Sequence, residues 1–401
     1  MASTNQTIVV LGGGYTGVMC AIRLARRTRR TGARVVLVNP TDRFTERLRL
    51  HQLATGQEPA DHRIPALLRG TEVEFVRGRA VHIAPDEREV RIADGEGERT
   101  LGYHYLVYAI GGVTDTSVPG VDGHAYTLDT AETASRFAER LAELDRRGGG
   151  TVAVAGSGLT GVESAAEIAE SHPKLQVVLL GRDEPGSMMG PKARGYLRQA
   201  LDRLGVQVRT GVKVTKALPE AVELDGGELL PVDALLWTAG VVGAPLARES
   251  GLEVDDRGRV VVDATLASVS HPSVYAVGDA AAVRQSWGEL HGTCQSGIPT
   301  AVHAADAIAR RLRGRKPGVF RFGYVHQPTS LGRRDAVIQF TRPDDSPGRW
   351  YLTGRLAVAY KEAVTSSPAK IYRLSRRLTI PARTMSRTGG RANRPVGHRG
   401  R

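Results

Sequence analysis

Apolar and polar positions fall in blocks along the chain, and one order of blocks occurs twice. Residues 7–11 (TIVVL) form a short apolar run. Gly12-Gly13-Gly14-Tyr15-Thr16-Gly17 follows, then 18–25 with apolar residues at helical spacing, then a second apolar run at 34–38 (RVVLV). This predicts strand, glycine turn, helix and strand, a βαβ unit of about 30 residues. The strands are apolar throughout, as expected where both faces of a parallel sheet are covered. The same order returns with TVAVA at 151–155, Gly156-Ser157-Gly158-Leu159-Thr160-Gly161, a helix over 162–170 and a strand at 175–180. Gly148-Gly149-Gly150 before it suggests a flexible joint.

Between the two units, 73–76, 79–83 and 88–92 alternate like strands of a small antiparallel sheet. Residues 106–109 (LVYA) predict a buried strand ending at Ile110-Gly111-Gly112. Short strands are expected at 206–209, 212–217 and 221–224. The run 235–237 ends at Thr238-Ala239-Gly240, and 274–277 (VYAV) ends at Gly278-Asp279. A helix is expected from Pro299 to Leu312, then a mixed α/β cap over 318–365. Residues 376–401, rich in Arg, Gly, Ser and Pro, carry little periodicity and are expected to be mostly disordered.

In each turn the first glycine permits the tight bend and the second lets a pyrophosphate approach the backbone. The third lets helix and strand pack closely. The helix N-terminus offers free N–H groups and a positive dipole end. Units of this kind usually end their second strand with an acidic residue that binds ribose hydroxyls. The first has Asn39 instead, whose amide still hydrogen-bonds a hydroxyl. The second has Gly181-Arg182, an arrangement that suits a 2′-phosphate and so NADPH over NADH; the bland alternative is a solvent-facing Arg with both nucleotides accepted.

Composition narrows the picture. The 401 residues, 41% hydrophobic and 24% charged, describe a soluble globular chain of two to three domains. No stretch of about 18 uncharged apolar residues predicts a spanning helix. The opening MASTNQT lacks a signal-peptide pattern, so a cytoplasmic location is expected. Two cysteines, Cys20 and Cys294, make neither a disulfide framework nor a thiolate cluster. No metal site is expected, and His271 and His303, without ligand spacing, read as structural. Net charge is +13, with a mildly acidic body and a strongly basic stretch after residue 309. Such a stretch can meet nucleic acid, anionic lipid or an acidic partner, but 48 of the 55 basic residues are Arg, which a high-GC genome also produces.

These motifs together resemble the two-dinucleotide-binding-domain flavoprotein reductases, the pyridine nucleotide–disulfide oxidoreductase fold, and within it type II NADH dehydrogenases. Gly12 to Gly17 match the family's FAD turn and Gly156 to Glu163 its nicotinamide turn. Ala109-Ile110-Gly111 and Thr238-Ala239-Gly240 match its ATG-like strand ends, and Val274 to Ala281 its closing FAD motif. The resemblance implies an α/β fold: two Rossmann-like dinucleotide-binding domains (three-layer ββα) plus a C-terminal α+β cap domain. It places an FAD domain at 1–112 and 241–317, an NAD(P)H domain at 113–240, the cap at 318–375 and a basic tail at 376–401.

By the same resemblance FAD is held by Gly12, Gly14, Tyr15, Thr16, Gly17, Asn39, Arg47, Val81, Ala109, Gly111, Gly278, Asp279 and Ile298. NADPH or NADH is held by Gly156, Gly158, Leu159, Thr160, Gly161, Arg182 and Gly240. Asp279 is expected to accept from the ribityl chain. Glu163 is placed between nicotinamide and flavin, to orient the ring or relay a proton; otherwise it is a carboxylate favoured by a helix N-terminus. Arg47, Arg49 and His51 pass the flavin, or form a basic surface helix.

The chain departs from the family in two respects. The disulfide reductases carry a redox cysteine pair, absent here, so a dithiol relay is excluded and sulfide–quinone reductases are disfavoured. At the quinone segment only Gln295 is kept of the Ala-Gln…Gln-Gly pattern, with Pro299 and Ala301 replacing the second Gln and the Gly. Cys20 reads as core packing, and the lone thiol of Cys294 as structural, the alternative being contact with the isoalloxazine. Residues 369–377 form a short basic segment with Ile371, Tyr372 and Leu374 as its apolar anchors toward a membrane.

The expected activity is therefore hydride transfer from NAD(P)H to FAD, then electrons to a quinone-like or other small-molecule acceptor. The expected place is the cytoplasm, with peripheral contact at the inner membrane face through the basic C-terminus. Nucleic acid is not an expected partner, and a homodimer is left open. Alternatives are a tailoring flavoenzyme for one small metabolite and a flavin redox sensor.

Overall fold

The computed structural model describes residues 6–378 and residue 380. The first unit is a five-stranded parallel sheet in the order Val274–Ala276, Tyr105–Tyr108, Thr7–Leu11, Arg34–Asn39, Val73–Arg77. Ile8, Val9 and Val10 are fully buried, which is why this strand carries no polar side chain in its middle. Helices Tyr15–Thr28 and Cys294–Arg311 pack on the sheet. The antiparallel strands Arg79–Ala84, Glu89–Asp94 and Gly97–Gly102 add Ile83, Val90 and Ile92 to the same core. The edge strand Val274–Ala276 arrives only after the whole second unit has been threaded.

The second unit has a four-stranded parallel sheet, Gln207–Arg209, Leu175–Leu180, Gly150–Ala155, Ala234–Trp237. Helices Ala131–Arg146, Leu159–Ser171 and Pro191–Arg203 bury their apolar stripes in one core beside it. An antiparallel meander, Val214–Leu218, Ala221–Leu224 and Leu229–Pro231, adds Val214, Val222 and Leu224 to a second core on this sheet. The chain passes between the two sheets twice, and the passages Gly112–Thr114 and Val241–Gly243 pair antiparallel. The α/β class with two parallel sheets is as expected.

Several expectations shift. Gly148 and Gly149 are not a joint between units but the left-handed turn, φ 98° and 144°, from a helix into a strand of the same unit. The helix expected at Pro299 begins at Cys294: Thr293 and Ser296 cap each other's backbone N–H groups reciprocally, and Pro299 is carried inside the helix. The cap is a three-stranded antiparallel sheet, His326–Ser330, Ala336–Thr341 and Pro347–Thr353, followed by a helix, Gly354–Ser375.

That helix corrects the reading of Ile371, Tyr372 and Leu374 as the apolar anchors of a short basic segment at 369–377. Tyr372 is fully buried, its ring edge-on to Phe44 at 5.8 Å and its hydroxyl donating to the Tyr15 carbonyl at 3.0 Å. Ile371 packs on the first core, leaving only Leu374, 47% exposed, outward. Arg376 is tied down as well, donating to the carbonyls of Arg69 at 2.8 Å and Ala66 at 3.2 Å. The rest of the expected tail, 381–401, lies outside the described residues.

Candidate active site

The first glycine turn is built by exclusion. A Cβ on Gly12, at φ 101°, would lie 2.4 Å from the Ala109 carbonyl oxygen, and one on Gly17 would lie 1.7 Å from the Gly12 oxygen. Gly14 has nothing within 4 Å. Two glycines therefore serve the backbone, and the middle one faces open space. Gly13 donates its N–H to Asn39 Oδ1 at 2.8 Å, and Asn39 Nδ2 donates to the Thr41 carbonyl at 2.7 Å. Asn39 thus braces the turn.

Thr16 brings a second segment to this turn. Its Cγ2 lies 2.7 Å from where a Cβ on Gly278 would sit and 2.9 Å from one on Gly297. Thr300 Oγ1 accepts from Gly278 N–H at 2.9 Å. Three segments far apart in sequence meet here, with Asp279 at their centre against Gly292. Burial raises the Asp279 carboxyl above its ordinary range, and Arg47 opposes the rise. Arg47 donates to the Gly112 carbonyl at 2.9 Å and pairs with Asp129 at 3.4 Å. Its Nη1 lies 3.5 Å from a Cβ on Gly111, which sits at φ 82°. Ile298 is buried on the incoming helix, and Val81 occupies a bulge in the antiparallel layer.

The second turn repeats the exclusions. A Cβ on Gly161 would lie 1.8 Å from the Gly156 oxygen, one on Gly156 2.7 Å from Thr238 Oγ1, and Gly158 again faces open space. Leu159 opens the helix, half-buried, and Thr160 is exposed. Gly240, at φ 81°, backs onto Asp115, whose N–H donates to its carbonyl at 3.2 Å. Gly181 is held small by Ser157: a Cβ there would meet Ser157 Oγ at 2.2 Å. Arg182 beside it is exposed.

The two units and the cap meet at Glu163. It is buried, and its Oε1 takes Lys361 Nζ at 2.7 Å, Ser330 N–H at 2.9 Å and Ser330 Oγ at 3.0 Å. Burial alone would raise its carboxyl; Lys361 above all outweighs that, and the group is held below its ordinary range, as a carboxylate. Lys361 also donates to the Pro328 carbonyl at 3.0 Å. His51 is buried close by, pushed down to about 4 by desolvation, so it stands neutral and is no part of a basic surface helix. Arg49 is bound to Glu362 on the cap helix.

Gln295 is not left free for a substrate. Its amide donates to the His326 carbonyl at 3.0 Å and accepts from Val325 N–H at 2.8 Å, stitching the helix start to the cap. Cys20 is buried, and burial pushes the Cys294 thiol up to about 11, which keeps it protonated. Sequence reasoning missed Lys361 and Ser330, which sit in no local motif, and Thr300, which lies in the quinone segment without being singled out. Among the described residues no group of three or more His, Cys, Asp or Glu is arranged to hold a metal, and no helix is long and apolar enough to cross a membrane.

Comparison with known proteins agrees with this geometry. The pyridine nucleotide-disulphide oxidoreductase family matches residues 6–307. A demethylphylloquinone reductase of Synechocystis sp. is 28% identical over 353 residues, covering 84% of this chain and 87% of that protein. An NADH dehydrogenase-like protein of Mycobacterium tuberculosis is 32% identical over 354 residues, covering 82% and 86%. The structure of NDH2 from Plasmodium falciparum in complex with NADH superposes with a TM-score of 0.79 at 15% identity, covering 93% of this chain and 97% of that one. The chain belongs to the pyridine nucleotide-disulphide oxidoreductase family, and with that membership the expectation of an FAD-dependent NAD(P)H oxidoreductase holds.

Proposed function

We propose that the protein passes electrons from NAD(P)H through FAD to a quinone. The observation that carries the reading is the pair of glycine cradles, each open at its middle glycine, with the Glu163–Lys361 pair tying the second cradle's helix to the cap. The names of the relatives, a demethylphylloquinone reductase and type II NADH:quinone oxidoreductases, support the acceptor class. FAD, when bound, accepts the hydride and hands the electrons on.

In this reading 1–112 with 241–317 hold FAD, 113–240 hold the nucleotide and 318–375 cover the junction. Gly14 and the N-terminus of Tyr15–Thr28 receive the FAD diphosphate, Asp279 its ribityl hydroxyls, and Arg47 stands by as a cation. Asn39, already bound to Gly13 and Thr41, keeps one amide hydrogen and one lone pair for a ribose hydroxyl. Gly158 and the helix from Leu159 receive the nucleotide, with Arg182 on its 2′-phosphate. Lys361, half-buried and paired with Glu163, donates a proton toward the acceptor, and Glu163 holds it in place. Gln295 positions the cap, through the backbone of Val325 and His326.

Contact with the inner face of the membrane runs through the exposed Leu374 and Leu378 with their neighbours Arg373 and Arg377. A homodimer would use the cap face, where Trp350 and Leu356 are 75% and 74% exposed.

Anaerobic stopped-flow of the FAD-loaded protein tests the reading. NADPH should bleach the flavin band and a water-soluble quinone should restore it. Bleaching without restoration would overturn the quinone assignment.

A further inference from the structure

We propose that Glu167 is the proton-carrying residue that resupplies the Glu163–Lys361 pair from solvent during quinol formation. The inference rests on the quinone reading above. The overall reaction is NAD(P)H + H⁺ + quinone → NAD(P)⁺ + quinol: the nucleotide is oxidised by two electrons, the quinone reduced by two, and one proton comes from water. The pair is largely screened from solvent, its side chains 13% and 11% exposed, so a proton it gives up needs a route for replacement.

Glu167 lies on the helix Leu159–Ser171, one turn beyond Glu163, and is fully buried. Residues four apart on a helix are neighbours. Its Oε1 receives the Gln57 amide. Its Oε2 is buried and has no hydrogen-bond partner among the described residues. A fully charged carboxylate with one oxygen unpaired is costly there, so the group favours a proton. Burial lifts it to about 7, against the pull of Gln57 and Arg333 and with the push of Glu170 and Glu163.

Glu170, the next carboxylate on this face, is only half-buried and takes the Arg333 N–H on its Oε2. Residues 163, 167 and 170 therefore form a file from the junction to the surface. The charged groups around Glu167 are Glu163 and Glu170 on its own helix and Arg333 from the cap hairpin. From the Leu50–Leu53 segment comes His51, which is neutral. Lys361, behind Glu163, completes the chain.

In the step, an N–H bond of the Lys361 ammonium breaks as its proton goes to a quinone oxygen. The O–H of Glu167 breaks in turn, and its proton returns through the Glu163 carboxylate to the Lys361 nitrogen. Glu167 is left as a carboxylate and takes a new proton from water at the Glu170 end. A purely structural Glu167 would only accept from Gln57, and a Gln side chain does that equally well.

Glu167→Gln and Glu167→Asp are compared with the wild type by anaerobic stopped-flow with NADPH and a water-soluble quinone across neutral pH. Infrared difference spectra of the FAD-loaded proteins titrated without substrate are the second readout. Flavin bleaching by NADPH should match the wild type in both variants. In Glu167→Gln, reoxidation by quinone should slow about tenfold or more and lose its pH break near neutrality; Glu167→Asp should keep the break. The wild type should show a protonated-carboxyl band that titrates near neutrality and is missing in Glu167→Gln. Unchanged reoxidation and pH profile in Glu167→Gln, or no such band, overturns the relay. A wild type that no quinone reoxidises overturns the function itself, and the relay with it.

Discussion

At the residue scale, the two nucleotide turns solve one steric problem in opposite ways. In the first, Gly13 makes room for Asn39: a Cβ on Gly13 would lie 2.8 Å from Asn39 Cγ. In the second, Ser157 fills the gap and Gly181, the residue in register with Asn39, must stay small. The absent acidic residue was legible in the sequence; its cause was not, because Ser157 and Gly181 meet only once the strands pair. Gly181→Asp alone should therefore cost about 1–3 kcal/mol of stability, read as a lower melting temperature, without gaining preference for NADH. Ser157→Gly with Gly181→Asp should recover the stability and shift the kcat/KM ratio toward NADH. Arg182→Ala should raise KM for NADPH about tenfold and leave that for NADH unchanged, as loss of one charge-assisted phosphate contact predicts. The glycine turns were readable because their constraint is local backbone. Lys361 was not, because its partner Glu163 is most of a domain away in sequence.

At the scale of elements, the two helices that converge on the first turn are clamped near their far ends. Arg23, 5% exposed, holds Asp306 at 2.6 Å, and Arg27 reaches the same carboxylate at 2.8 Å. Removing one partner of such a pair strands a buried charge, so Asp306→Ala should cost roughly 3–5 kcal/mol in chemical denaturation. The periodicity of Tyr15–Thr28 revealed this helix but not the clamp. The start of Cys294–Arg311 was misplaced because proline usually opens a helix, whereas here the Thr293–Ser296 cap decides. Between Asn39 and Val73 only Arg47, Arg49 and His51 were singled out, and by resemblance; the elements themselves gave no pattern. This stretch holds two-residue strands and short helices, with too little periodicity to signal, yet it delivers Arg47, His51 and Gln57 to the junction.

At the scale of the whole molecule, buried histidines set the response to acid. His51, His303 and His326 are all pushed from 6.5 down to about 4 by burial. Between those values the unfolded chain binds more protons than the folded one, so stability falls as pH drops through 6.5 toward 4. Glu167, raised to about 7, works the other way: its folded form gains stability as pH falls from 7 toward 4.5. Glu46, Asp279 and Asp345, also raised by burial, join Glu167 at the acid end, while from pH 6.5 downward the three histidines set the slope. Melting temperature should thus decline steadily below about pH 6.5, and His303→Phe should flatten part of the decline. The charge asymmetry along the chain was legible from composition. Its basic end proved partly structural, since Arg376 and Tyr372 bind the body of the protein.

The helix Gly354–Ser375 belongs to neither nucleotide-binding unit, yet it contacts both, through Lys361 to Glu163 and through Tyr372 to Tyr15. It is also the last described element to leave the ribosome. Both glycine turns, and the strand that completes the first sheet, emerge before it. A nascent chain thus holds both cradles while Glu163 still lacks its cation. Order of synthesis then becomes order of competence: nucleotide binding can form first, and proton handling only once residue 361 is out.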